Sequence, residues 1–425
     1  MPFRPLRFFH AASLHLDAPL RDVAGLKDDV RELVGTATLT AFRRLVDAAI
    51  ERQVDAVLLT GNTFDASVGS LTAEVALRQG LEQLDAADIP VFATPGPQDP
   101  AAAWDEIPGL PENLTLFSSA GEDAVDLTDG GKLLATIWPV AWHSSVHPPE
   151  LDRLMAGRLA KPETRPYSIG LLMADPTREN SPNRPWSGTA FASLNYLAGA
   201  DWAGDGAWPL TEAVIGRPAG PQGLSQRETG SRGGILIEAD EEGHSRTTLV
   251  PLAPVRWERL VVELTGIRDE NELLERMIGL LDQIPRQVGE QVRMIEWSFR
   301  AAPERDLHLE EERVAATVAN SLTGLTDEAK GLRYVHRVLP SGPESGLPTQ
   351  RQAELWKEFE ASLQRLPAVE PAQLRQMLSE LQFPDVNVAG RMERWLDRLD
   401  AVEVSSQARR LGWRWFAGAL GGEPR

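Results

Sequence analysis

The stretch "VLLTGNTFDAS" (residues 57–67) opens as an apolar run with β-branched and leucine side chains and ends in a turn. Such a run, too short for a helix and closed by Gly-Asn, reads as a buried strand that delivers its last residues to a loop. A strand that runs into Gly-Asp is a common way to present a carboxylate to a metal ion. Here Asn62 follows Gly61, which keeps a carbonyl oxygen but removes the charge.

The flanking segments alternate between strand and helix patterns. "LRFFHAAS" (residues 6–13) is a strand candidate, and Phe42, Leu45, Val46 and Ala49 recur at helical spacing within residues 39–50. A second helix is expected over residues 71–89, with Leu71, Val75, Leu77, Leu81 and Leu84 mostly on one face. "IPVFATPGPQD" (residues 89–99) is a further strand that ends in a Pro-Gly turn. A βαβαβ order predicts a layered α/β domain whose ligands sit at the C-terminal ends of the strands.

From residue 113 the rhythm changes. "NLTLFSS", "KLLATIWPVAW", "SIGLLMAD", "EAVIG", "GGILIEAD" and "RTTLVPL" are short strand-like runs with few helical periods between them. They are expected to form a second sheet packed on the first. After a boundary near residues 251–254, "ERLVVELT", a helix over 271–284, "VRMIEWSFR", a helix over 307–322 and "LRYVHRVL" outline a small α/β module. The domains expected are therefore 1–253, a second α/β module at 254–340, a linker at 341–350 rich in Pro, Gly and Ser, and a helical segment at 351–425.

Composition bounds the function. The chain has 425 residues and is 42% hydrophobic and 25% charged, as for a globular protein of more than one domain. Its 43 Lys and Arg stand against 62 Asp and Glu, a net charge of −19, which argues against a broad nucleic-acid footprint. With no cysteine, disulfides and thiolate metal sites are excluded and a reducing compartment fits. No run approaches a signal peptide or the ~20 apolar residues of a membrane span, so a cytoplasmic protein without membrane contact is expected.

Taken together, the strand-end loops resemble the calcineurin-like metallophosphoesterases, in particular the SbcD-type DNA repair exonuclease subunits and their YhaO-like relatives. The resemblance covers about the first 260 residues. In "HAASLHLDAPL", Ser13 stands where the family's first motif has an aspartate, and His15 where it has a histidine. "GNTFD" matches the family's "GD-x-F-D" with Asn62 at the bridging aspartate. "GPQD" matches "GNHD" with Pro97 for the asparagine and Gln98 for the histidine, while Asp99 remains. "IGLLMADP" has Met173 or Ala174 where a histidine would end the strand, and "YLAGADWAG" has Ala200 and Trp202 for the last two histidines. "VPLAPVRWERLVVEL" is the passage that leads to the capping domain in the nuclease branch.

The resemblance implies a metallophosphoesterase-like two-sheet α/β sandwich with a smaller α/β capping domain and a helical C-terminal tail. A two-metal phosphoesterase holds its ions ~3.5–4 Å apart and needs anionic ligands between and around them. Ser13, Asn62, Gln98, Ala200 and Trp202 supply none, so the implied state is a pseudoenzyme with no cofactor. The competing enzyme reading gathers His15, Asn62, Asp99 and Asp201, with Asp205 as a further candidate, around one Mn2+ ion in a rearranged nuclease or phosphodiesterase site. By the same resemblance, the partner is an SbcC-like coiled-coil ATPase gripped by the tail through Trp356, Phe359, Trp395, Trp413, Trp415 and Phe416. A homodimer is open, and nucleic acid would be met only indirectly. A third reading is an interaction protein unrelated to DNA. The bland readings are that His15 is a hydrogen-bonded structural histidine, that Asn62 caps a turn, and that Asp99 is a turn residue. The remaining histidines show no zinc spacing, and "GRPAGPQGLSQRETGSRGG" (residues 216–234), despite Arg217, Arg227 and Arg232, lacks a Walker lysine and reads as structural.

Overall fold

The computed structural model describes residues 5–117 except 22 and 24, then 124–141, 167–173, 194–199, 214–216, 218–264, 266–267, 270–300, 322 and 331–338. The chain divides into two compact units. One comprises Met1–Leu260, Leu281–Glu296 and Ser321–Arg337; the other comprises Val261–Leu280, Trp297–Asn320 and Val338–Arg425. The fold is mixed α/β with several sheets, as the sequence predicts.

The first unit is built on a six-stranded sheet. β1 (Leu6–Ala12), β2 (Ala56–Thr60), β3 (Val91–Thr94) and β4 (Leu114–Leu116) run parallel, while β10 (Gly233–Ala239) and β11 (Ser245–Pro251) close the other edge antiparallel. Every residue of β2 and β3 is buried because both faces of the sheet are covered, which is why these strands read as unbroken apolar runs. The two faces can be read off by parity. Phe9, Ala11, Val57, Leu59, Val91 and Ala93 join one core with helices α2 (Ala37–Glu51) and α3 (Leu71–Asp85). Phe8, Ala56, Leu58 and Phe92 face the other way, into a core shared with the second sheet.

That second sheet has the order β5-β6-β7-β8-β9, from Val125–Asp129, Lys132–Ala141, Ser168–Met173, Tyr196–Ala198 and Val214–Gly216. Ile137, Ile169, Leu171 and Tyr196 meet the first sheet's Phe8 and Leu58 in one cluster. Two expectations need correction. "NLTLFSS", "GGILIEAD" and "RTTLVPL" belong to the first sheet, because β4 pairs with β3 and β10 pairs with β1 in register from Leu6↔Ala239 to His10↔Ile235. Short strands carry no label for their sheet; only long-range pairing assigns them. Leu71 is not on the buried face of α3 but 70% exposed, since it is the first helical residue after the N-cap Ser70, whose hydroxyl accepts from the Ala73 N–H at 3.1 Å. The buried stripe is instead Ala73, Leu77, Gly80, Leu81 and Leu84.

Two shorter helices, α1 (Asp28–Gly35) and α4 (Ala101–Asp105), complete the described part of the first unit's helical layer. Val30 and Val34 of α1 lie in a third cluster with Leu26, Val255, Trp257, Val292 and Met294. Beyond the second sheet, β12 (Val255–Glu263), β13 (Val292–Arg300) and β14 (Arg333–Val338) form a three-stranded sheet in that order. On β13, Arg293 is almost fully buried and is held by both carboxylate oxygens of Glu290 at 2.6 and 2.8 Å, so the buried charge has its partner. Helix α5 (Glu270–Asp282), which lies in the second unit as far as Leu280, buries Leu273 and Met277, one turn apart, on one face.

Candidate functional site

The parallel strands β1, β2 and β3 end side by side at Ala12, Thr60 and Thr94, and their following loops converge there. The first loop is zipped to the second. Ser13 N–H donates to the Gly61 carbonyl at 3.0 Å, His15 N–H to Asn62 at 3.0 Å and Leu16 N–H to Thr63 at 2.9 Å. To make these bonds the chain enters the left-handed region at Ser13 (φ 50°), His15 (φ 46°), Asp17 (φ 59°) and Asn62 (φ 46°). None of these is glycine, so each costs ~1–2 kcal/mol that the surrounding contacts must offset.

Asp99 ties the third loop to the second. Its Oδ1 accepts from Gly96 N–H at 2.6 Å and its Oδ2 from Thr63 N–H at 2.8 Å. It is fully buried, and burial pushes its carboxyl up to about 7 against the opposing pull of those N–H groups. Asn62 Oδ1 accepts from Gln98 N–H at 3.2 Å, and Gln98 Oε1 lies 3.1 Å from His15 Nδ1. With a carbonyl oxygen as acceptor, Nδ1–H is the donor of that contact. The loops approach so closely that a Cβ at Gly96 would stand 2.3 Å from Asn62 Oδ1 and 2.4 Å from its backbone nitrogen. Two buried hydroxyls at the strand ends, Ser13 Oγ and Thr94 Oγ1, have no hydrogen-bond partner.

Beneath this cluster lies a polar chain that periodicity alone does not reveal. His10 is fully buried between the two sheets, with Nδ1 2.9 Å from the Tyr196 hydroxyl and Nε2 3.0 Å from Thr60 Oγ1. Thr60 Oγ1 donates onward to the Gly199 carbonyl at 3.2 Å. That direction makes Thr60 the acceptor from Nε2–H and leaves Nδ1 to accept from the tyrosine. Burial holds the imidazole at about 3, hence neutral. The available signal was a histidine inside an apolar strand, which must find partners if buried.

The structure thus brings Ser13, His15, Asn62, Gln98 and Asp99 together. Ala200, Asp201, Trp202, Asp205 and the tail residues Trp356, Phe359, Trp395, Trp413, Trp415 and Phe416 lie outside the described residues, as do Ala174, Arg217, His143 and His147. The Gly-rich segment is structural where it is described. Gln222, 2% exposed, brackets Val255 by donating to its carbonyl at 2.8 Å and accepting from its N–H at 3.2 Å. His244, which spacing set aside, shares a hairpin turn with Asp240 and Glu242, their ligand atoms within 4.8 Å of one another; all three are exposed.

The donor set does not fit a two-metal centre. At the motif positions Ser13, His15, Asn62, Gln98 and Asp99 it offers one hydroxyl, one imidazole, two carboxamides and one carboxylate whose two oxygens already accept backbone N–H groups. Two dications a few ångströms apart require more negative charge than that.

No family profile matches the chain. Over 275 positions it is 26% identical to the uncharacterized metallophosphoesterase YhaO of Bacillus subtilis (strain 168), a match that covers 64% of this chain and 66% of that protein. The match therefore spans just under two thirds of the relative's length. Among solved structures, TT1561 of Thermus thermophilus is 12% identical with a TM-score of 0.33, covering 58% of this chain and 99% of its own. A dimetal phosphatase from Danio rerio is 12% identical with a TM-score of 0.33, covering 59% and 99%. Among the described residues no helix is long and apolar enough to cross a membrane. The sequence match makes this chain similar, over that span, to a Bacillus protein named as a metallophosphoesterase.

Proposed function

We propose that this chain is a non-catalytic relative of SbcD-type DNA repair exonucleases. In this reading it works in the cytoplasm as a structural or regulatory subunit beside an SbcC-like coiled-coil ATPase. One observation carries the loss of catalysis: Asp99, the one carboxylate among the gathered residues Ser13, His15, Asn62, Gln98 and Asp99, is committed to holding Gly96 and Thr63. Its charge is also weakened near neutral pH, because burial raises its carboxyl to about 7. The partnership rests on the resemblance of about the first 260 residues, with a module at 254–340 in the capping domain's position, followed by a linker and a Trp-rich helical tail. Trp and Arg anchors are what a protein-gripping surface uses.

A second reading is favoured by the match to a protein named as a metallophosphoesterase. It is a rearranged phosphodiesterase in which His15, Asn62, Asp99 and Asp201 hold one divalent ion such as Mn2+. A metal cofactor is consistent with that relation, and the expectation of none draws no support from it. Purified full-length protein incubated with single- and double-stranded DNA and Mn2+, beside His15→Ala, decides between the readings. The proposal expects no cleavage, or cleavage that His15→Ala leaves unchanged. Cleavage abolished in the variant overturns it in favour of the one-metal site.

A further inference from the structure

On one side the six-stranded sheet ends in β11, and the backbone of that strand faces an open edge. Leu252 N–H donates to the Arg232 carbonyl at 3.0 Å and Asp240 N–H to the His244 carbonyl at 3.0 Å, which fixes the phase of the β10–β11 ladder. Its register runs from Gly233↔Pro251 to Ala239↔Ser245 without a shift, and hydrogen-bonded pairs recur at every second residue. Arg246, Thr248 and Val250 therefore turn their backbone groups toward β10. Ser245, Thr247 and Leu249 turn theirs outward, where no described strand meets them. Residues 246–249 are exposed, Leu249 to 46%. Sheet edges are usually blunted by charge, proline or a bulge, yet the middle of this one is Thr-Thr-Leu in a regular register, with proline only at its end, Pro251.

We propose that β11 pairs with β11 of a second copy of this chain, antiparallel about a two-fold axis at Thr247. Thr247 then faces its own counterpart and Ser245 faces Leu249, so all three outward residues bond through both N–H and C=O. The neighbouring registers are poorer. An axis at Leu249 would set Thr247 against Pro251, which has no N–H. An axis at Ser245 would need Gly243, whose N–H is already held by the Asp240 carbonyl at 3.1 Å. Charge favours a second copy as the occupant. At the Ser245 end the exposed turn carries Asp240, Glu241 and Glu242. At the Pro251 end Arg44 donates to the Leu252 carbonyl at 3.1 Å, and the Arg232 carbonyl accepts from Leu252 N–H. Antiparallel pairing lays each acidic end beside the other copy's basic end, twice over. Arg246 falls opposite Thr248 rather than its own kind, and Glu238 stands across from it on β10. The contact is isologous and closes at two copies.

The test exploits a chain without cysteine. Thr247→Cys places a single thiol on the axis, with its counterpart about 5.5 Å away between Cα atoms, within reach of a short bismaleimide. Leu71→Cys, at a position 70% exposed at the start of α3, is the control. Sedimentation of the unaltered full chain should give twice the chain mass, and Thr247→Cys but not Leu71→Cys should cross-link to a covalent dimer. Thr247→Pro removes an outward N–H and none of the bonds to β10, so it should weaken self-association about tenfold or more. A chain that sediments as a monomer at every concentration overturns the proposal, and leaves the edge to some other strand or to water. So does a dimer that Thr247→Pro leaves unchanged, or one that cross-links through Leu71→Cys instead. Should Thr247→Pro fail to fold, the contrast between the two cysteine variants decides alone.

Discussion

His10 shows how much one residue holds in this molecule. Its ring sits between the sheets and satisfies both Tyr196 and Thr60. In His10→Ala the cavity and the stranded hydroxyls should together cost ~3 kcal/mol or more, read as a lower urea midpoint with an unchanged slope. A loss under ~1 kcal/mol would mean that water replaces the ring without penalty. Gly96 is the corresponding point in the loops. A Cβ there would meet Asn62 Oδ1, the Asn62 nitrogen and Asp99 Oδ1 at 2.3, 2.4 and 2.8 Å. Because backbone has to move, Gly96→Ala should destabilise by ~1–3 kcal/mol in thermal unfolding. A variant as stable as the parent would show that these loops are not rigidly joined. Legibility at this scale was uneven. The degenerate motif positions Ser13, His15, Asn62, Gln98 and Asp99 could be named from the string, but not their hydrogen bonds. That Asp99 spends both oxygens on Gly96 and Thr63 depends on two loops that meet only when β2 and β3 pair.

At the scale of elements, α2 and α3 pack closely because Gly80 permits it. An added Cβ would lie 2.5 Å from Phe42 Cε1 and 3.2 Å from Val46 Cγ2. Alanine is the better helix former by ~1 kcal/mol, yet overpacking a buried Phe42 costs ~1–3 kcal/mol. Gly80→Ala should therefore lower the melting temperature. Gly35, at the end of α1, has nothing within 4 Å of its added Cβ, so Gly35→Ala should raise stability by ~0.5–1 kcal/mol. Calorimetry that finds the two shifts of the same sign would remove the packing explanation. Helix and strand existence was legible from period: α2, α3, β2 and β3 fall where the apolar spacing puts them. Sheet membership was not. β10 and β11 look like β7 in sequence, yet β10 pairs with β1 and β11 with β10, because register and not composition assigns them to that edge.

For the whole molecule, acid response is the sum of opposed titrations. His10 and His336 are lowered by burial from 6.5 to about 3 and about 4, so in that window the unfolded chain binds protons that the folded chain refuses. Their contribution is present above pH 6.5 and lost as pH falls. Asp99 acts the other way. Raised from 3.8 to about 7, it is protonated in the folded state first, so its contribution is present below about 3.8 and lost as pH rises through 7. Two histidines against one aspartate leave a net loss on acidification from about pH 7 to 4. Removing the opposing group, as in Asp99→Asn, should steepen that loss. Urea midpoints at about pH 7, 5.5 and 4 check this, and a parent protein more stable at the acid end than at the neutral end would contradict it. The amino-acid string alone determined what is local: the periods of strand and helix, the absence of disulfides, the acidic balance, and the missing carboxylate in "GNTFD" and missing imidazole in "GPQD". Tertiary structure decided which strands share a sheet, that His10 joins Tyr196 across the core, and that Asp99 serves as a tie between loops. The physical reason is range. Period and composition are set within a few residues, whereas register, burial and the pairing of buried polar groups depend on segments that meet only after folding.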